Sequence, residues 1–222
     1  MKAASVLRKF EKINSRAFLM LGFPNETYRM LHDTIDLALQ MDLDWYSTTI
    51  LQPLPNTPIF DFMVRQGLVT SVNFQDIRFS NGVYGKLRQK VNNLDMLKSS
   101  LQDAFNHVDL DTVPTGEKLD DIWAYMNYHL NFKRLFKLEK RAKLEQMYRY
   151  VKNIAEIVAP ESGFAMYFTG YLQHKLYGKI DQDVIDKLDE SLKNSPYWAG
   201  RFEEFALSVD HLKTRVFPAY TK

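Results

Sequence analysis

The chain has 222 residues, 45% of them apolar and 25% charged, with a formal net charge of +2. That length supports one substantial core, or a partial domain with a small second one, and so small a charge makes no electrostatic case for nucleic acid or an acidic membrane. Cysteine is absent, which excludes disulfides, thiolate zinc sites, cysteine nucleophiles and iron–sulfur clusters held by thiolates of this chain.

The N-terminal stretch, Met1 to Ile13, alternates Lys with apolar residues and lacks the hydrophobic run of a secretory signal. Val6, Leu7 and Phe10 form a short helical stripe ending near Asn14. The longest unbroken apolar stretch, Ala17 to Leu21, falls far short of the roughly 20 residues a membrane span requires. A cytoplasmic protein with no membrane partner is expected.

Arg16 to Leu21 is brief and apolar, the profile of a strand covered on both faces. It runs into Gly22-Phe23-Pro24-Asn25-Glu26-Thr27, after which Tyr28, Leu31, Ile35, Ala38 and Leu39 share one helical face. Asp44 to Leu51, rich in β-branched and aromatic residues, reads as a second strand. It ends in Gln52-Pro53-Leu54-Pro55-Asn56-Thr57-Pro58, and a helix follows with Thr57 as N-cap, Pro58 at its first position and Gly67 past its end. Strand–loop–helix, twice, is the grammar of parallel α/β architecture. Both loops turn through Pro-Asn, and Asn tolerates positive φ better than other non-glycine residues, so Asn25 and Asn56 are expected in left-handed positions. The same loops also read as punctuation that starts helices.

Residues 70–92 are mixed, with a weak hairpin signal at Ser80-Asn81-Gly82. From Asn93 the chain reads as helix. Stripes run through Leu94, Leu97, Leu101 and Phe105, through Leu119, Ile122, Trp123, Met126 and Leu130, and through Leu144, Met147, Val151, Ile154 and Val158. Further helices are expected over 162–177, 182–193 and 197–213. The fold class is therefore α/β followed by all-α, with units over 1–90 and 91–222. Residues 162–196 resemble a degenerate tetratricopeptide hairpin, with Gly170, Gly178 and Pro196 near the repeat's positions. A helical bundle around Trp123, Tyr167, Trp198 and Phe202, serving as a cap, explains the same residues and is preferred.

Two segments carry a family resemblance. Phe18-Leu19-Met20-Leu21-Gly22-Phe23-Pro24-Asn25-Glu26-Thr27 and Leu51-Gln52-Pro53-Leu54-Pro55-Asn56-Thr57-Pro58-Ile59-Phe60 resemble consecutive loops of radical S-adenosylmethionine (SAM) proteins that carry a B12-binding domain. The family writes them as F-hydrophobic-hydrophobic-G-hydrophobic-P-G-E-T and P-x-P-G-T-P-hydrophobic-Y/F, so Asn25 and Asn56 stand where it has glycine. The resemblance covers roughly residues 5–70 and implies the last two β/α units of a partial (β/α)6 barrel, followed by a C-terminal helical domain. It implies SAM as a cofactor, with Met20 and Gly22 against the adenine and Gln52 and Leu54 offering backbone contacts. Its C-x3-C-x2-C cluster motif has no counterpart here, so a [4Fe-4S] cluster and cobalamin require a further N-terminal part. The expected partner is thus a separate N-terminal radical SAM/B12-binding polypeptide, unless the chain is a truncated gene product.

Little else suggests chemistry. Glu26, the one acidic residue of the first loop, is expected to serve the first helical turn, its carboxylate meeting free amides there. His32, His107, His129, His174 and His211 lack ligand spacing, so no metal site and no catalytic residue is assigned, and phosphate-loop and serine-elbow motifs are missing. The basic run Lys133 to Arg141, with Glu139 and Lys143 at i,i+4 spacing, reads as a solvated helix surface. The functional expectation is the C-terminal portion of a radical SAM enzyme, a methyltransferase among the candidate activities, not competent alone. The alternative is a non-catalytic helical interaction module with a vestigial α/β segment.

Overall fold

The computed structural model describes residues 2–68, 100 and 103–214; the hairpin signal at Ser80-Asn81-Gly82 and, of the stripe that ends at Phe105, Leu94, Leu97 and Leu101 lie outside them. A short helix α1 (Lys2–Leu7) leads to strand β1 (Arg16–Leu21), helix α2 (Tyr28–Met41), strand β2 (Trp45–Ile50) and helix α3 (Pro58–Arg65). The strands pair in parallel, from Arg16 opposite Trp45 to Leu21 opposite Ile50. Helix α2 buries Tyr28, Leu31, Ile35 and Ala38, the face its 3.6-residue periodicity marks. Thr57 caps α3, with Pro58 in its first turn. Gly67 beyond it has φ +70°, and Asn25 and Asn56 take φ 66° and 63°, as their place in the loops requires.

Helices α4 (Gly116–Asn127), α5 (Arg141–Asn153), α6 (Gly163–Tyr177), α7 (Gln182–Asn194), α8 (Pro196–Glu204) and α9 (Val209–Thr214) follow. Helix α4 runs on into a π turn at Tyr128–Phe132 and a 3-10 turn at Lys133–Lys137, and α5 ends in a π turn at Ile154–Val158. The single helix expected over 197–213 is two. Ala206 adopts φ 51°, Leu207 N donates to the carbonyl of Phe202, 2.8 Å away, and Ser208 Oγ receives the amide of His211. A left-handed cap followed at once by a new N-cap breaks the rod and lets Leu207 and Leu212 both reach the core.

Among the described residues two large apolar clusters form most of that core, and a small third one joins Leu51 to Met63 of α3. In one large cluster, Leu21, Tyr46 and Ile50 of the strands meet Leu31 and Ile35 of α2 and Ile122 and Met126 of α4. In the other, helices α5 to α9 gather around Phe132, Leu144, Phe168, Leu188 and Phe202. Tyr167 and Trp198 belong with the second cluster and Trp123 packs against the first, so the expected four-aromatic bundle is divided. Helix α4 thus packs with the sheet, and the π turn after it sends Leu130 to one cluster and Tyr128 and Phe132 to the other.

A buried polar knot ties the parts together. Lys143 Nζ lies 2.7 Å from Asp44 Oδ2 and also donates to the carbonyl of Ile13. The same carboxylate oxygen accepts from the amide and hydroxyl of Ser15 at 2.8 and 2.7 Å. Arg134 adds a bond of 2.9 Å to the carbonyl of Asp44. The solvated surface expected around Lys143 is therefore corrected. Lys143 is only 9% exposed, because its partner comes from the start of β2, a contact that helical spacing does not encode.

Candidate functional site

Parallel strands place their carboxyl ends, and the loops that follow, around a common crevice. Here those loops are 22–27 and 51–57. The first is closed by Glu26, whose Oε2 accepts from the amides of Gly22 and Phe23 at 2.6 and 3.2 Å. Glu26 therefore serves the loop, not the first turn of α2, because Thr27 already caps that helix and Glu26 lies before the cap. Burial raises its pKa above the ordinary carboxylate value, although the two backbone amides pull the other way. In the second loop the Thr57 hydroxyl donates to the carbonyl of Leu54 at 2.7 Å and its oxygen accepts the amide of Phe60 at 3.3 Å.

Side chains alternate across the pleat. Ala17, Leu19 and Leu21 turn toward the core with Tyr46, Thr48 and Ile50. Phe18 and Met20 turn the other way, opposite Ser47 and Thr49, and are 79% and 46% exposed. The expectation that β1 is covered on both faces is corrected: described residues cover its amino end only, where Arg16 stacks over Tyr150, 4.3 Å from the ring centroid. Beside it Trp45 meets Phe132 and Tyr150. At the carboxyl end the face is open and apolar.

The four residues assigned from sequence sit together at that end, in different roles. Met20 lies on the open face. Gly22 is buried at φ +85°, and a methyl added there would stand 3.3 Å from both Ile50 Cγ2 and Leu119 Cδ1. Gln52 is half-buried and Leu54 exposed. Phe18, which sequence reasoning passed over, is the largest group on the face; its i,i+2 relation to Met20 was the available signal.

The two edges of the sheet differ. On β2, Asn131 Oδ1 accepts from Tyr46 N at 2.8 Å while its Nδ2 donates to Tyr46 O at 2.9 Å. Trp123 Nε1 donates to Thr48 O at 2.9 Å. A side-chain amide thus takes the place of a neighbouring strand. Leu21 O and Ser15 O bond to β2, so by alternation the amides and carbonyls of Phe18 and Met20 point off the opposite edge. Among the described residues nothing bonds to them.

No family model matches this chain, and no solved structure matches it. It is similar to an uncharacterized methyltransferase of Pyrococcus horikoshii (strain OT-3), with 27% identity over 73 residues, 33% of this chain and 16% of the relative. The match therefore spans well under a quarter of that protein's length. Among the described residues no helix is long and apolar enough to cross a membrane.

Proposed function

We propose that this chain supplies the last two β/α units of a radical SAM barrel of the B12-binding type, with a helical domain on the substrate side, in a cytoplasmic enzyme of methyl-transfer or related radical chemistry. The observation that carries the reading is the repeated strand, Pro-Asn loop and helix, with the two strands parallel and their non-core face open beyond the amino end. The similarity to a methyltransferase supports it. In a closed barrel an open face of this kind becomes lumen, and the sealed edge of β2 suits a final strand.

The residues present fit the adenine of SAM in part. Met20 and Phe18 offer a flat apolar shelf at the strand ends, and Gln52 offers polar atoms beside it. Gly22 supports the shelf from below, since Ile50 and Leu119 occupy the side where its Cβ would stand. Leu54 presents its side chain to the solvent side of the second loop. Bound SAM would supply the methyl or 5′-deoxyadenosyl group, and a [4Fe-4S] cluster and cobalamin would be held by cysteine-bearing and B12-binding segments other than these residues. This chain orients the nucleoside and excludes water from one side of it.

The test is to express the chain together with the coding sequence that precedes it, under anaerobic conditions with iron and sulfide. A C-x3-C-x2-C motif in that sequence, cluster absorption, and reductant-dependent release of 5′-deoxyadenosine are expected. The substitution Met20→Lys, at an exposed position, is expected to weaken SAM binding about tenfold while the cluster spectrum persists. Absence of the motif, or SAM binding indifferent to Met20→Lys, overturns the reading.

A further inference from the structure

The C-terminal helices form an open groove of about 670 Å³ between the π turn that ends α5 and helices α6, α7 and α8. That volume lies in the range of small-molecule sites. Its floor is apolar, made by Ala155, Met166, Val184 and Trp198, with Thr169 buried among them. The indole is held firmly. A methyl added at Gly163 would come within 3.0 Å of Trp198 Cδ2, and Phe164 meets the ring edge-on at 5.1 Å.

The rim is acidic. Glu156 and Glu161 stand on one side, Asp183 and Glu190 on α7. The last two are seven residues apart, about 10 Å of helical rise. Among the described residues the one cationic group lining the groove, Lys187, lies between them and pairs with Asp183 at 2.8 Å. Lys152 reaches Glu156 at 3.7 Å, whereas Glu161 and Glu190 have no cation within salt-bridge distance among the described residues. Lys187 is held above the ordinary lysine pKa, chiefly by its hydrogen bond and charge pairing with Asp183, with Glu156 adding to the effect.

We infer that this groove binds a free aliphatic polyamine, its ammonium groups on the rim carboxylates and its methylenes along the floor of Met166, Val184 and Trp198. Charge complementarity chooses a cation over an anion, the apolar floor and indole face choose an alkylammonium over a bare metal ion, and the rise from Asp183 to Glu190 suits an extended triamine. In this arrangement Lys187 competes with the ligand for Asp183.

Spermidine titrated into the whole chain, followed by calorimetry and tryptophan emission, is expected to give one saturable site. Glu161→Gln and Glu190→Gln should each weaken it by roughly three- to tenfold. Lys187→Met should tighten it several-fold by removing the internal competitor. All three positions are exposed, and unchanged far-UV circular dichroism shows that the variants fold. The sign at Lys187 is decisive, because weaker binding in Lys187→Met overturns the inference. Failure to saturate, or binding indifferent to both glutamate changes, also overturns it. A lysine-rich peptide that binds more than tenfold tighter than spermidine makes a partner protein the occupant and overturns the free-amine assignment.

Discussion

Asp44 and His129 each make stability depend on pH, in different ranges. Burial alone would raise the Asp44 pKa, but the hydrogen bonds from Lys143 and Ser15 and the Lys143 charge outweigh it and hold the carboxyl below its ordinary value. Such a group contributes stability above the unfolded value near pH 3.9 and loses it as pH falls through the folded value. His129 is pressed from 6.5 down to about 4, chiefly by burial and then by Lys133, with Glu204 opposing. Its buried Nε2 has no hydrogen-bond partner among the described residues, and its ring lies 4.1 Å from that of Tyr125. As pH falls below 6.5 the unfolded chain takes up this proton first, so stability declines from there down to about 4, by roughly 1–3 kcal/mol. Urea denaturation across pH should show the upper decline in the wild type and not in His129→Phe. Lys143→Met leaves Asp44 buried without its cation and should cost about 3–5 kcal/mol at pH 7 by the same measurement.

At the scale of elements, the irregular turns explain most. The π turn after α4 rotates Asn131 onto β2, where its amide makes both bonds a neighbouring strand would make to Tyr46. Asn131→Leu keeps the volume, removes both bonds and should destabilise by about 1–3 kcal/mol, read as a lower unfolding midpoint. The break between α8 and α9 has the opposite sign. Ala206 sits at φ 51°, where a side chain is strained and glycine is not. Ala206→Gly should therefore stabilise, by about 0.5–1 kcal/mol, although glycine ordinarily weakens a helical region. Both strands, α2, and α3 with its caps were legible, because periodicity, Thr57-Pro58 and the Pro-Asn turns are local signals. The Asn131 clamp was not legible, since an asparagine inside a helical stripe looks like any other polar residue, and the Ala206 break carries no glycine to announce it. Lys143 was read as surface for the same reason: its partner lies across the fold. At the strand ends Met20, Gly22, Gln52 and Leu54 were placed by motif, whereas the uncovered face became visible only once pairing set which side chains turn outward.

For the whole molecule, Phe18, Met20 and Phe23 leave exposed apolar area beside a strand edge to which none of the described residues bonds, a combination that favours self-association. Phe18→Ser should lower association in sedimentation velocity while leaving the unfolding free energy within about 0.5 kcal/mol of the wild type, since the ring contributes little to the core. The form of that association follows from the Asn131 amide on the other side of the sheet. With one margin sealed, each molecule has a single valence for strand addition. Two copies joined through β1 would satisfy one another around a two-fold axis and stop, whereas a sheet open on both sides could grow into a fibre. Sedimentation should therefore show monomer and dimer without a ladder of larger species, and removing both the Asn131 and the Trp123 bonds to β2 would turn a terminating contact into a propagating one.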